Sequence, residues 1–296
     1  DRMKEEAISI LKKYHQEHIL EYNLSEKQQQ ELEKQILSID FEQLQNLYES
    51  TKQEKVIEEK KIEHIPYTDK AKMSKEQEQE LANIGTEIIK QGHYAVITMA
   101  GGQGTRLGHK GPKGTYALDT VNGKKYIFEI IIDKLKKAKE EYGVTIPWYV
   151  MTSKDNHDET VCFLENNNYF GYEKDKVKFF KQGELPLIDT QGRVILDENV
   201  RIKEAADGNG GIYEAFAKSG LLDELKQKQT DWIFVSGIDN ILSNFVDPIL
   251  LGLTIKENNV IASKSVAKAY PQEKAGVFCK MNGKPKIIEY IDLPEE

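Results

Sequence analysis

The chain has 296 residues, of which 39% are hydrophobic and 30% charged, a composition typical of a soluble globular protein with one large domain or two. Its 41 Lys and Arg against 49 Asp and Glu give a net charge of −8, which argues against a nucleic-acid backbone as the main partner. No apolar run approaches the roughly 20 residues that a membrane-spanning helix needs, and the first residues lack the apolar stretch of a signal peptide.

Residues 1–91 are rich in Glu, Lys and Gln and predict an N-terminal helical region. The Ser-x-x-Gln segments at Ser25–Gln28 and Ser74–Gln77 have the form of a capping box, and Asp40 precedes apolar residues at helical spacing. We expect this region to pack as solvated helices on a neighbouring domain, without a catalytic role.

Residues 92–296 alternate between buried strands and helices, which predicts one α/β catalytic domain. Strands are expected at 93–100, 146–153, 177–180 and 231–239, with helices at 125–143, 156–166, 210–220 and 247–259. Three further strands are expected at 260–268, 275–283 and 285–293. Such alternation is typical of a doubly wound, mostly parallel sheet, whose ligand lies outside the carboxyl ends of the strands. Because the sequence stops directly after a strand, we expect that it lacks a C-terminal part of this domain.

Cys162 and Cys279 are the two cysteines, and they form no CxxC pair. This pattern favours two reduced thiols in a cytosolic protein over a lone disulfide, and a catalytic cysteine is favoured least. The six histidines show no spacing typical of a metal-ligand set. The sequence therefore predicts a cytoplasmic protein whose chemistry depends on neither group.

A glycine-rich segment at residues 101–114, here called the glycine loop, follows the first strand of the α/β region and begins GGQGTRLG. Glycines allow bare backbone N–H groups to approach a ligand, and successive N–H groups form a concave site for anions. Arg106 and Lys113 add positive charge suited to phosphate oxygens. A Walker A loop is excluded because Gly114 follows Lys113, and the GxGxxG spacing of a dinucleotide site is also missing. A phosphate-binding loop is favoured over a purely structural turn.

Four motifs in order along the chain resemble those of a known family. AGGQGTRLG…PKG is similar to the signature of nucleotide-diphospho-sugar pyrophosphorylases. FFKQGELP (179–186), DGNGGIYEAF (207–216) and VSGIDNIL (235–242) narrow the resemblance to the eukaryotic-type UDP-N-acetylhexosamine pyrophosphorylases. The related UDP-glucose enzymes tend to carry His-Gly-Asp where this chain has Asn209-Gly210-Gly211. The resemblance implies a nucleotide-diphospho-sugar transferase fold, Rossmann-like and of GT-A type, with a mixed, mostly parallel sheet flanked by helices.

The resemblance also assigns roles to single residues. The positions that match the family's nucleotide-binding residues are Met99, Ala100, Gly101, Gly102, Lys113, Gln182, Gly208 and Asp239. Met99 departs from the usual leucine. Among them, Gln182 matches a glutamine that reads the uracil edge, which its amide can do with one acceptor and two donors. Without the resemblance, Gln182 is explained equally well as a solvent-facing residue at the end of a strand.

The sugar is implied to bind at Asn209, Glu289 and Tyr290. Asp239 matches the family's metal-binding aspartate, and a carboxylate beside a triphosphate can hold Mg²⁺. Without the family pattern, DGNGG is explained as an ordinary turn and Asp239 as the cap of the turn that follows its strand.

The reaction implied by the resemblance joins UTP to a hexose 1-phosphate, giving a UDP-sugar and pyrophosphate. The sugar phosphate is already a nucleophile at neutral pH, so no strong general base is needed. Arg106 and Lys113 would act catalytically by neutralising charge. N-acetylglucosamine 1-phosphate is the expected acceptor; glucose 1-phosphate or galactose 1-phosphate are alternatives, and a nucleotide-sugar-binding protein without turnover is an alternative of another class.

Overall fold

The computed structural model describes residues 3–54, 65–66, 73–206, 212–241, 244–258, 277–280 and 286–291. The contacts divide the chain into two compact units, each made of two separate stretches of sequence. The first unit comprises Asp1–Lys61 and Glu184–Asp207, and the second comprises Ile62–Gly183 and Gly208–Glu296. This division differs from the predicted one, which put residues 1–91 in one helical region and residues 184–207 in the α/β domain.

Beside an antiparallel pair of strands, β3 (Ala117–Thr120) and β4 (Gly123–Tyr126), the described residues of the second unit form a seven-stranded sheet. In spatial order its strands are β1 (Ile65–Pro66), β11 (Lys286–Ile291), β10 (Val277–Lys280), β9 (Trp232–Gly237), β2 (Tyr94–Met99), β5 (Trp148–Thr152) and β6 (Val177–Lys181). The neighbours β9, β2, β5 and β6 pair in parallel, whereas β10 runs antiparallel to both β9 and β11. The prediction of a mixed, mostly parallel sheet is confirmed.

The central strands are covered on both faces, which explains their continuous apolar sequences. Successive residues of a strand point to opposite faces, and β2 accordingly divides its side chains between two clusters. Tyr94 and Val96 belong to the larger core cluster, while Ala95 and Ile97 belong to a second one. All four are at most 3% exposed, so β2 lies at the centre of the layered structure.

Helices flank this sheet, and all but α8, which was not predicted, lie near predicted positions. They are α4 (Lys75–Lys90), α5 (Ile127–Tyr142), α6 (His157–Asn166), α7 (Ile212–Lys218), α8 (Leu221–Gln227) and α9 (Pro248–Asn258). The strand expected at 260–268 lies outside the described residues. Among the helices that the structure describes, none has the length and apolar character needed to cross a membrane.

The helix α4 belongs to the second unit because it packs tightly on α9. A Cβ atom at Gly85 of α4 would overlap the backbone of Pro248, and one at Gly252 of α9 would overlap the backbone of Leu81. The two glycines thus let the helix backbones approach closely. A boundary drawn after residue 91 from composition misses this packing, because charge-rich surface sequence does not report which partner a helix has.

The helical part of the first unit contains α1 (Glu5–Lys13), α2 (Glu26–Ser38) and α3 (Phe41–Glu54). Both predicted capping boxes are present, at the starts of α2 and α4. Asp40 Oδ1 accepts a hydrogen bond from Gln43 N at 3.0 Å, which confirms the predicted cap of α3. The core of this unit includes Leu11, Ile19, Leu32 and Ile36, all fully buried.

A double hairpin at residues 187–203 completes the first unit and was not predicted. Three backbone hydrogen bonds form a closed ring among Leu187, Ile195 and Lys203, which follow one another at intervals of eight residues. Leu187 N donates to Lys203 O, Ile195 N to Leu187 O, and Lys203 N to Ile195 O, at 2.8, 2.9 and 2.8 Å. The short strands β7 (Glu184–Pro186) and β8 (Glu204–Ala206) pair antiparallel at its ends.

The two turns of the double hairpin have the same pattern of hydrogen bonds. Asp189 Oδ1 accepts hydrogen bonds from Gln191 N and Arg193 N, and Asp197 Oδ1 accepts from Asn199 N and Arg201 N. The carboxylate therefore closes each turn by accepting the N–H groups of the turn. The bond from Arg193 N is the main cause that holds the pKa of Asp189 below its usual value.

The glutamines of the helical part pair with the open edges of this hairpin. Gln16 Nε2 donates to Gly192 O at 3.0 Å, and its Oε1 accepts from Val194 N at 2.9 Å. Gln35 makes the same pair of bonds with the carbonyl and N–H of Ile202. These side chains satisfy backbone groups that a hairpin edge would otherwise leave unpaired.

Candidate active site

A cavity of about 350 Å³ opens at the carboxyl ends of the parallel strands in the second unit. Met99 and Gly237 end β2 and β9, and Met151 is the next-to-last residue of β5; the three are in register with one another, so the segments that follow these strands lie at one edge of the sheet. The residues lining the cavity are Met99, Gly101, Gly102, Gln103, Gly104, Thr105, Arg106, Leu107, Lys113, Met151, Gln182, Gly237, Ile238 and Asp239. The predicted location of the ligand site therefore coincides with a cavity.

The glycine loop is folded back on itself by its own backbone. Gly104 N donates to Gly111 O at 3.0 Å, and Lys113 N donates to Gly102 O at 3.1 Å. Between these bonds, the chain turns through a short 3₁₀ segment that ends at Gly108, whose φ of 72° is in the left-handed region. A glycine adopts this conformation without the backbone strain that a residue with a Cβ atom would have there.

The segment Pro112-Lys113-Gly114 fixes the end of the loop. Gly114 lies against the ring of Phe128, so closely that a Cβ atom at Gly114 would overlap the ring. Lys113 is followed by this packed glycine, and its side chain forms an ion pair with the carboxylate of Asp239. The lysine and the aspartate, which are far apart in sequence, are thus partners at the mouth of the cavity.

Gln182 follows β6 and lies directly over the glycine loop. Its backbone N–H donates to Thr152 O at 2.7 Å, which continues the parallel pairing beyond the end of the strand. A Cβ atom at Gly101 would come within 2.5 Å of Gln182 Oε1. The absence of a side chain at Gly101 is therefore what lets the amide of Gln182 occupy this position.

His157 lies behind the cavity, where its Nδ1 is 2.6 Å from the hydroxyl of Thr152. Partial burial is the main cause that lowers the pKa of His157, and the positive charge of Lys181 lowers it further. The lowered pKa favours the neutral imidazole, and the positive side chains in the cavity wall are Lys113 and Arg106.

The structure brings most of the predicted site residues together. Those that line the cavity are Met99, Gly101, Gly102, Arg106, Lys113, Gln182 and Asp239. Ala100 is different: it is only 2% exposed and belongs to the core below the loop. Gly208 and Asn209 lie outside the described residues. Glu289 and Tyr290 lie on β11, at register positions opposite Val277 and Ile65, and the described residues do not include their side chains.

Several residues at the site were not predicted. Met151 and Gly237 could have been found from the sequence, because the ends of neighbouring parallel strands meet at one edge. Gln103, Thr105 and Leu107 belong to the glycine loop itself. Asn156 had no such signal, since an asparagine before a helix normally predicts only a cap; its amide nevertheless contacts the glycine loop.

A sequence model of the UTP–glucose-1-phosphate uridylyltransferase family matches residues 39–296. The chain belongs to this family. The match includes the glycine loop, Gln182 and Asp239, so the residues around the cavity all lie within the part of the chain that carries the family pattern. The uridylyltransferase relationship predicted from the four motifs is therefore confirmed.

Two individual relatives show which members of the uridylyltransferase family this chain is similar to. A probable UDP-N-acetylglucosamine pyrophosphorylase of Schizosaccharomyces pombe is 38% identical over 221 residues, covering 72% of this chain and 46% of that protein. The UDP-N-acetylglucosamine pyrophosphorylase of Saccharomyces cerevisiae is 37% identical over 223 residues, covering 74% of this chain and 46% of that protein. The chain thus spans about half the length of the curated relatives it matches.

A solved structure extends the likeness to the fold. The crystal structure of the UDP-N-acetylglucosamine pyrophosphorylase from Trypanosoma brucei, determined in complex with an inhibitor, superposes with a TM-score of 0.69 at 29% sequence identity. The superposition covers 98% of this chain and 62% of that chain. The predicted nucleotide-diphospho-sugar transferase fold is confirmed.

Proposed function

We propose that the protein is a UTP:hexose-1-phosphate uridylyltransferase and that N-acetylglucosamine 1-phosphate is its acceptor. The observation that carries the proposal is the meeting of three motifs, distant in sequence, around one cavity. The glycine loop, Gln182 and Asp239 all contribute to its wall. The names of the relatives from both yeasts support the choice of the N-acetylated sugar.

The proposed reaction brings two anions together, and the chemistry of the cavity fits that task. The oxygen of the sugar phosphate attacks the α-phosphorus of UTP in line, and the bond to pyrophosphate breaks. The N–H groups of the glycine loop, together with Lys113 and Arg106, would stabilise the charge on the transferring phosphoryl group. Because phosphoryl transfer depends mainly on positioning and electrostatics, the lack of an assigned general base is consistent with this mechanism.

The nucleotide would be oriented by Gln182, whose amide offers both a donor and an acceptor to the uracil edge. Met99, Ala100, Gly101 and Gly102 would form the turn beneath the nucleotide. The proposal gives Gly208 a place against the uracil, and it gives Asn209, Glu289 and Tyr290 contacts to the sugar, as the family resemblance implies. Gly208, Asn209, Glu289 and Tyr290 belong to the proposal only, because they are not among the residues that line the described cavity.

Mg²⁺ is the proposed cofactor, held by the carboxylate of Asp239. No group of three or more His, Cys, Asp or Glu side chains suited to a metal is found among the described residues. This fits Mg²⁺, which is commonly bound by one or two carboxylates together with substrate phosphates rather than by a complete protein cage. When bound, the ion would neutralise phosphate charge. Asp239, now paired with Lys113, would have to exchange this partner for the ion.

Glucose 1-phosphate remains a second candidate acceptor, because the description of the matched family names that sugar phosphate. The difference between the two acceptors is an N-acetyl group, which needs room beside the sugar. The segment at 207–211, where the resemblance places part of the sugar site, is not among the described residues. Direct comparison of acceptors is therefore the deciding experiment.

The experiment measures pyrophosphate release by the full-length protein with UTP and Mg²⁺, using N-acetylglucosamine, glucose and galactose 1-phosphates in parallel. Turnover that is fastest with N-acetylglucosamine 1-phosphate is expected. UTP binding without turnover of any of the three sugars would favour a binding protein, and failure to bind UTP would contradict the proposal. We also propose a cytoplasmic location, supported by the two free cysteines; fractionation of cells would test it.

A further inference from the structure

Asn156 occupies the position before α6 where asparagine commonly caps a helix, yet it does not cap this one. Its side chain makes no hydrogen bond to the N–H groups of the first turn of α6. Instead, Asn156 Oδ1 accepts from Ser153 N at 2.8 Å, and Asn156 N donates to Ser153 Oγ at 3.1 Å. The residue is fully buried, so it is locked into the turn that follows β5.

The amide nitrogen of Asn156 points from this turn into the glycine loop. Its Nδ2 donates to Ala100 O at 3.0 Å and lies 3.5 Å from Gly102 O. A polar side chain without solvent contact is normally fully used in hydrogen bonds. Here the donors of the amide are used on two carbonyls, that of Ala100 directly before the glycine loop and that of Gly102 within it, while its acceptor holds its own turn.

The contact with these carbonyls bears on where two N–H groups of the loop point; at Gly102 O it acts together with the hydrogen bond from Lys113 N. In a trans peptide the C=O and the following N–H point in opposite directions. A carbonyl of Ala100 turned towards Asn156 therefore turns the N–H of Gly101 away from it, and the carbonyl of Gly102 does the same for Gln103. Within the part of the chain that the structure describes, the N–H groups of Gly101, Gly102 and Gln103 donate no hydrogen bond to protein.

We propose that Asn156 is a positioning residue that aims the N–H groups of Gly101 and Gln103 at the phosphates of the nucleotide. The inference rests on the proposed function, because it assigns phosphate binding to the same loop. Asn156 itself does not line the cavity and acts only through the carbonyls behind the loop. Its loss would leave the carbonyl of Ala100 without this partner and that of Gly102 with the bond from Lys113 N alone, which weakens the fixed orientation of the two peptide planes towards an anion.

The test compares two asparagines at the two ends of α6. Asn156→Asp keeps the size of the side chain and the oxygen that accepts from Ser153 N but removes the amide donor; Asn156→Ala removes both. Asn167→Asp is the matched control, because Asn167 Nδ2 also donates to a backbone carbonyl, that of Phe163 at 2.8 Å. Ser153→Ala is a second control that removes only the hydroxyl in the turn of Asn156.

Binding of UTP and of uridine to each protein is measured by calorimetry, and thermal unfolding reports folding. We expect both Asn156 variants to bind UTP about tenfold more weakly, with uridine binding changed much less, because the lost orientation matters for phosphates. The two controls should keep the ratio of UTP affinity to uridine affinity of the unchanged protein.

Two results would overturn the inference. An unchanged ratio in folded Asn156→Asp and Asn156→Ala would show that the loop holds its orientation without the amide. An equal change in Asn167→Asp would show a general effect of loosening α6. These failures differ from failure of the proposed function itself, in which the unchanged protein would not bind UTP and the inference would fall with it.

Discussion

The glycine loop at 101–114 and the double hairpin at 187–203 are both tight segments with residues at positive φ, and they treat their backbone N–H groups in opposite ways. In the hairpin, Asp189 and Asp197 each accept N–H groups of their own turn. The first turn of the glycine loop has no such carboxylate. The N–H groups of Gly101, Gly102 and Gln103 have no acceptor among the described residues.

The difference teaches how a turn becomes a binding site. A carboxylate within a turn satisfies the turn internally and makes it a structural element. A glycine loop that is fixed from behind, through its carbonyls, keeps its N–H groups available for an anionic ligand. The arginines of the two segments differ in the same way. Arg193 pairs with Asp189 of its own turn, whereas Arg106 lines the cavity.

The largest effect is expected from Lys113→Ala. Loss of a charge that stabilises the transition state is expected to lower kcat by about 10²–10³, measured as pyrophosphate release at saturating UTP. Lys110→Ala is the matched control, since it removes an exposed lysine from the same loop. An equal loss in both variants would mean that general charge, and not the position of Lys113, matters.

The double hairpin can be broken at its turns without touching the cavity. Gly192 has a φ of 80°, and a Cβ atom there would lie 2.8 Å from Tyr48 Cε1. Gly192→Ala is therefore expected to lower the free energy of unfolding by about 2 kcal/mol, measured by urea titration.

At the matching position of the second turn, a substitution is expected to raise the free energy of unfolding instead of lowering it. Val200 has a φ of 56°, which a β-branched residue adopts only with strain. Val200→Gly removes this strain but adds chain entropy to the unfolded state, so a gain of about 0.5 kcal/mol is expected. A loss of stability in Val200→Gly would show that the side chain of Val200 contributes more by packing than its backbone strain removes.

Gly101→Ala tests the contact between the glycine loop and Gln182. The added Cβ atom would displace the end of a flexible side chain, so folding should change little while UTP affinity falls about tenfold. A double-mutant cycle with Gln182→Ala provides the control, because the two changes should not be additive if they act on one contact. If the effects of the two substitutions on UTP affinity add up, Gly101 and Gln182 act independently of each other.

A small effect is expected from Lys113 and Asp239 in the absence of nucleotide. Because the lysine is paired with the carboxylate, Lys113→Met should raise the affinity for Mn²⁺, used as a probe for Mg²⁺, about two- to fivefold. Electron paramagnetic resonance of free Mn²⁺ measures the affinity. The gain should vanish when Asp239→Asn is combined with Lys113→Met; a gain that persists would place the ion elsewhere.

Much of the second unit was predictable because its signals are local. The apolar run of β2, the glycine boundary after it and the periodicity of α5 each depend on neighbouring residues only. The double hairpin escaped prediction because its segments 187–203 alternate only weakly, and their partners are glutamines such as Gln16 and Gln35, whose sequence context indicates nothing but a solvated helix.

The sequence by itself determined the family, the parallel strands and the chemical character of the loop, since glycines, Arg106 and Lys113 act through their own geometry and charge. The tertiary structure alone decided which side chains complete the site. Lys113 meets Asp239, Gly101 admits Gln182 and Asn156 holds the carbonyls of the loop because parallel strands bring their ends to one edge. Contacts of this kind join residues that are distant along the chain, and their partners are defined only once the sheet has formed.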